Sequence, residues 1–139
     1  MKGPMMIDQI DQQIIKLLQR NSRLTNKEIG ESIHLSGQAV GNRINRLLDD
    51  DIISNFTIAI NYDNTQYIRL FMNQASFSAV EKLVNSFEEI TSFDKVSGQA
   101  CYLIIAHFTP KRLNEFIEVI SKWARYSVET TLINKLEKH

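Results

Sequence analysis

The residue types able to do chemistry in this 139-residue chain are concentrated in its first third. Ser36, Gln38, Asn42, Arg43, Asn45 and Arg46 lie within eleven positions, spaced so that several share one side of a helix. Gln and Asn amides present a donor and an acceptor together, which matches an adenine edge, while a guanidinium reads guanine or grips phosphate. Bases are met by the N-terminal part of such a helix and phosphates by what lies further along. Gln38 and Asn42 are therefore candidates for base contact, Arg43 and Arg46 for backbone contact with some base reading, and Ser36, at the start of the helix, for DNA contact. Asn26 and Lys27 open the preceding helix, where unpaired amides and the helix dipole add to the Lys charge in holding a phosphate. The competing reading is a polar, solvated face on an ordinary three-helix bundle. Gly41 bears on both, because mid-helix Gly costs roughly 1 kcal/mol relative to Ala and allows close approach either to DNA or to the core.

Other reactive types are sparse. Cys101 is the single cysteine and reads as a small apolar residue at the start of a buried strand, not as a redox centre. His34 falls in a turn between helices, where a surface role competes with a phosphate or base contact. His107 ends a strand and has no second ligand near it in sequence, and His139 is terminal, so no metal or other cofactor is expected. Trp123 belongs to an apolar stripe and reads as core or interface. No Gly-rich phosphate loop or nucleophile motif is present, so the sequence gives an enzyme reading no support.

The elements that must position these residues follow from apolar spacing. Ile10, Ile14, Ile15, Leu17 and Leu18 form a helical stripe over 8–20, with Asp8 as N-cap and Asp11 in the first turn. Thr25-Asn26-Lys27-Glu28 is a capping box for a short second helix carrying Ile29 and Ile33. Ser36 caps a third, whose apolar face is Ala39, Val40, Ile44, Leu47 and Leu48. This is a tri-helical helix-turn-helix pattern. The period changes at Ile52: Ile52, Ile53, Phe56, Ile58 and Ile60 partly alternate and predict a wing or linker strand running to the turn-rich 61–64.

The second half predicts strand, helix, strand, strand, helix, strand. A strand over 67–77 sets Ile68, Leu70 and Met72 on one face, and Ser78-Ala79-Val80-Glu81 reads as a capping box. Strands over 93–97 and 101–108 flank Gly98. Thr109-Pro110 opens a helix bearing Leu113, Phe116, Ile117, Ile120 and Trp123, and a strand over 127–135 closes the chain. That order is the ferredoxin-like βαββαβ unit. The expected class is α+β: a winged helix-turn-helix head over 1–53, a linker strand over 54–64, and a ferredoxin-like domain over 65–139.

Composition bounds the rest. With 43% hydrophobic and 23% charged residues, the chain is neither disordered nor a disulfide scaffold. The absence of a long apolar run in the sequence excludes a signal peptide or membrane helix and predicts a cytoplasmic protein without a membrane partner. Sixteen basic residues balance sixteen acidic ones, which by itself speaks against a nucleic-acid partner. Residues 1–60 are also neutral, yet 20–48 holds five basic residues against two acidic. Such a head binds DNA weakly alone, and two heads on one oligomer raise the effective concentration of the second contact.

The runs Ile7-Asp8-Gln9-Ile10-Asp11, Ile14-Ile15-Lys16-Leu17-Leu18-Gln19, Asn21-Ser22-Arg23-Leu24-Thr25 and Leu35-Ser36-Gly37-Gln38-Ala39-Val40-Gly41-Asn42-Arg43-Ile44-Asn45-Arg46-Leu47 resemble the N-terminal domain of the Lrp/AsnC transcription regulators. Val96-Ser97-Gly98 falls where that family has Val-Thr-Gly. The resemblance spans nearly the whole chain. It implies a double-stranded DNA partner, a homodimer built through the C-terminal sheets and extended to tetramers or octamers, and an amino-acid effector bound near Ser97, Gly98, Gln99 and Cys101. Two positions depart from the family pattern. Gly98-Gln99-Ala100-Cys101 lacks the acid of Gly-x-x-Asp, a natural partner for an ammonium group, and Asp51 stands where a left-handed Gly is usual. Two other readings therefore remain: an assembly module that binds ligand without DNA, and an architectural DNA-binding protein that needs no ligand.

Overall fold

The computed structural model describes residues 7–137 and divides into two compact units at Ile60/Asn61. In the first, helices α1 (Gln9–Arg20), α2 (Asn26–Ile33) and α3 (Gly37–Asp49) enclose a core of Ile14, Ile29, Val40 and Ile44. Each starts on a side-chain cap. Asp8 accepts from the Asp11 amide at 2.8 Å and Asp11 reaches back to the Asp8 amide at 3.3 Å. Thr25 and Glu28 exchange the same pair of bonds at 3.1 and 3.0 Å, and the Ser36 hydroxyl accepts from the Ala39 amide at 3.1 Å. These caps satisfy amides that the first turn of a helix leaves without partners.

The α2–α3 turn depends on two backbone requirements. His34, the C-cap of α2, is left-handed with φ 62°. Gly30 packs so tightly under the turn that a Cβ there would stand 2.3 Å from the Leu35 carbonyl oxygen. After α3, Asp51 takes the left-handed conformation with φ 56°, and the amides of Ile52 and Ile53 return to the Leu47 carbonyl at 2.9 and 3.0 Å.

No strand forms between Ile52 and Thr65. The alternation that predicted a wing or linker strand is present, with Phe56, Ile58 and Ile60 exposed, but no ladder among the described residues accepts it, and one extended segment alone does not make a strand.

The second unit contains β1 (Gln66–Met72), α4 (Phe77–Asn85), β2 (Ile90–Lys95), β3 (Tyr102–Ala106), α5 (Pro110–Ile120) and β4 (Ala124–Thr130). Its sheet runs β2-β3-β1-β4, antiparallel throughout, which is the ferredoxin-like arrangement. Ile68, Leu70, Tyr102 and Ile104 face a core shared with Val80, Val84, Phe108, Phe116 and Ile120. Several boundaries differ from expectation, β1 ending at Met72, β2 at Lys95 and β3 at Ala106, each short of the predicted strand. Phe77 belongs to α4, not to the strand before it, so Ser76 is the N-cap and Ser78 does not cap. Strand β2 starts three residues earlier than predicted, at Ile90. Strand β4 spans Ala124–Thr130, and 131–137 carries no strand, leaving Leu132, Ile133 and Leu136 exposed. Trp123 lies just past α5, half-buried against the core.

His107 is held on several sides. Its ring stacks on Tyr62 with centroids 3.4 Å apart, Nδ1 is 3.1 Å from the Asn64 carbonyl and Nε2 is 2.9 Å from the Thr91 hydroxyl. That arrangement suits an Nδ1–H tautomer donating to Asn64. Among the described residues no three His, Cys, Asp or Glu side chains form a metal-binding group, and no helix is long and apolar enough to cross a membrane.

Candidate nucleic-acid interface

Helix α3 divides cleanly. Val40, Ile44 and Leu47 are buried, whereas Gln38, Asn42 and Asn45 are exposed on other faces. The N-terminus of α2 abuts the start of α3: a Cβ on Gly37 would contact the backbone of Lys27 at 3.4 Å, and one on Gly41 would stand 2.9 Å from Asn26 Nδ2. Gly41 thus makes room for the Asn26 amide, not for the core. Asn26, Lys27, Gln38 and Asn42 are all exposed, and these contacts bring the α2 residues beside the first turns of α3. Ser36 sits at the same place, with its oxygen engaged in capping and its hydroxyl proton available to donate. The Glu28 carboxyl at this helix start is held below its ordinary range by hydrogen bonds from the Thr25 backbone and hydroxyl.

The arginines take a different course. Arg43 Nη1 donates to both Asp8 oxygens at 2.9 and 2.7 Å and to Asp11 Oδ1 at 3.1 Å. Arg46 Nη2 donates to Asp11 Oδ2 at 3.0 Å. The Asp11 side chain is fully buried, so its charge is tolerated because each oxygen holds a guanidinium. Asp8 is held below the ordinary carboxylate range, chiefly by the Arg43 hydrogen bond and then by the Asp11 amide. Arg43, conversely, is held protonated more firmly by Asp8 and then Asp11. The capping acids of α1 therefore double as counter-charges to α3. Sequence spacing concealed this, because the partners are 32 and 35 residues apart.

The pattern of an AsnC-type helix-turn-helix domain matches residues 7–48, the segment that holds this arrangement. The HTH-type transcriptional regulator LrpB of Bacillus subtilis (strain 168) is 36% identical over 141 residues, covering 97% of this chain and 94% of its own. LrpA of the same organism is 33% identical over 137 residues, covering 91% and 98%. The chain belongs to the Lrp/AsnC family. It is a helix-turn-helix transcription regulator, not an enzyme. The fold agrees: the solved structure of B. subtilis LrpC superposes with a TM-score of 0.88 at 24% identity, covering 96% of this chain and all of that one. E. coli AsnC does so with 0.80 at 18% identity, covering 97% and 98%.

In this Lrp/AsnC chain the Ser97-Gly98-Gln99 segment is the exposed turn between β2 and β3, and Gly98 has φ 130°, a conformation that suits glycine. Cys101 is half-buried against the core, its amide bonded to the Leu70 carbonyl at 2.8 Å. Beside the base of that hairpin, a cavity of about 610 Å³ is lined by Glu81, Asn85, Ser92, Phe93, Lys95 and Tyr102, among others. None of the four residues assigned to an effector from the sequence lines it. The Tyr102 phenol donates to Glu81, and burial, reinforced by that bond and charge, pushes it up to about 12. Sequence reading missed this grouping, because Glu81 and Tyr102 look like an ordinary helix-surface acid and a core aromatic.

Proposed function

We propose that this regulator binds double-stranded DNA sequence-specifically as a homo-oligomer in the cytoplasm, through a head over 1–53 joined by 54–64 to an assembly and effector domain over 65–139. The observation that carries the reading is the exposed Gln38, Asn42 and Asn45 face of α3 set beside the Asn26 and Lys27 end of α2. Gln38 and Asn42 read base edges, Asn26, Lys27 and Ser36 take phosphate, and Arg46 adds charge further along, while Arg43 is engaged by Asp8 and Asp11. The test is a fluorescence-anisotropy titration of the full chain with duplexes from its own promoter region and with shuffled duplexes, at low and physiological salt. Each of Gln38→Ala and Asn42→Ala is expected to remove about 1–3 kcal/mol of discrimination, the worth of one good base contact. Equal affinity for promoter and shuffled DNA would refute sequence-specific binding.

Oligomerisation is supported by the sheet face opposite the helices, where Tyr67 and Leu103 are half exposed beside Arg69 and Asp94 in register. A small molecule of the amino-acid class is the proposed effector, acting at the 97–101 hairpin. Cys101, standing where the family pattern has an acid, favours a second reading in which the protein is architectural and needs no effector. Calorimetry against the common amino acids separates the two: saturable binding that shifts the assembly state supports the first.

A further inference from the structure

In the first unit, the guanidinium of Arg43 on α3 is engaged by acids at the start of α1. One of its nitrogens is shared among three carboxylate oxygens within 3.1 Å. Two of those oxygens belong to Asp8, whose side chain is 53% exposed, whereas Asp11 is fully buried. The two acids thus have different consequences. Asp11 anchors α3 to α1 from within. Asp8 sits at the surface and occupies the geometry on Arg43 that a phosphate oxygen would take, since both are anionic oxygens suited to a short charge-assisted bond.

Resting on the DNA-binding reading above, we propose that Asp8 is an affinity-limiting residue: an internal substitute for phosphate that keeps Arg43 off the DNA backbone and so keeps binding by a single head weak. A head that is weak alone makes DNA binding depend on how many heads one assembly presents.

The experiment is a salt titration. For duplex DNA, log K falls with log salt by about 0.9 for each phosphate neutralised, so the slope counts phosphate contacts independently of fold stability. Asp8→Asn is the informative variant, because Asn caps a helix as well as Asp does, and Asp8→Ser, another good cap, repeats the test. In the full chain, with promoter DNA, both variants are expected to bind more tightly than wild type and to steepen the slope by about 0.9 per head. In the double variant Asp8→Asn with Arg43→Ala, the extra slope should vanish. An unchanged or shallower slope in both single variants overturns the proposal. So does a steepening that persists without Arg43, since that would be the general effect of removing a negative charge. Failure of wild type to bind any duplex would instead refute the DNA-binding reading itself, and the wild-type curve is recorded first.

Discussion

Gly41 shows how one atom can oppose stability to function. Alanine there would gain roughly 1 kcal/mol of helix propensity, and its Cβ would meet only the end of the Asn26 side chain, at 2.9 Å. Rotating that amide aside is inexpensive, so Gly41→Ala is expected to leave the head as stable as wild type, or more so by up to about 1 kcal/mol, while promoter binding weakens as Asn26 is displaced. Thermal denaturation and anisotropy measured on the same sample give the two numbers, and unchanged affinity would remove Asn26 from the interface. Tyr102 gives a second prediction. Its phenol is raised from 10 to about 12, so the folded state holds the proton more tightly than the unfolded state. The resulting stability is fully present below pH 10 and is lost as pH rises towards 12. A 295 nm titration of wild type minus Tyr102→Phe should have its midpoint near pH 12, and Tyr102→Phe should lose less stability than wild type over that interval.

At the scale of elements, the helix-turn-helix stands or falls on the α2–α3 turn. Gly30 faces backbone, not a movable side chain, so Gly30→Ala forces the turn apart and is expected to cost at least the ~1–3 kcal/mol typical of overpacking, with DNA binding lost alongside. Circular dichroism melts should therefore separate the two glycine variants, Gly30→Ala falling below wild type and Gly41→Ala not. Local signals made most of this architecture readable in advance: Asp8, Thr25, Ser36 and Thr109 all cap the helices that their positions suggested. Boundaries failed where the local signal was outvoted by packing. Phe77, for example, reads as strand by type but joins α4, where its ring meets Tyr102 and Lys95. The predicted linker strand failed for a different reason, since a strand exists only by pairing and its partner was never a property of 54–64. The candidate interface was legible as residue types along α3, whereas the Asp8–Arg43 and Asp11–Arg46 pairs were not, because only the folded head brings α1 to α3.

For the molecule as a whole, neutrality takes on a structural meaning. The surplus of positive charge between residues 20 and 48 shrinks once Asp8 and Asp11 fold back onto Arg43 and Arg46. Few cations are then left to meet phosphate from one head, and in the proposed homo-oligomer affinity comes from several heads acting together, each held at a high effective concentration by the others. The second unit offers the means in the open face of its sheet. Leu103, on the inner strand β3, is 40% exposed and pairs in register with Arg69 on β1 and Asp94 on β2. Placing a charge at that apolar point leaves the helix-covered core untouched while opposing association through the face. Leu103→Asp is therefore expected to yield a folded chain of lower mass by sedimentation equilibrium, with promoter affinity reduced at least tenfold. Its salt slope should fall towards that of one head, because fewer phosphates are neutralised per binding event. If Leu103→Asp sediments like wild type, this face is not the assembly surface. If it dissociates yet binds promoter DNA as tightly as before, a single neutral head suffices, and the link between net charge and assembly is broken.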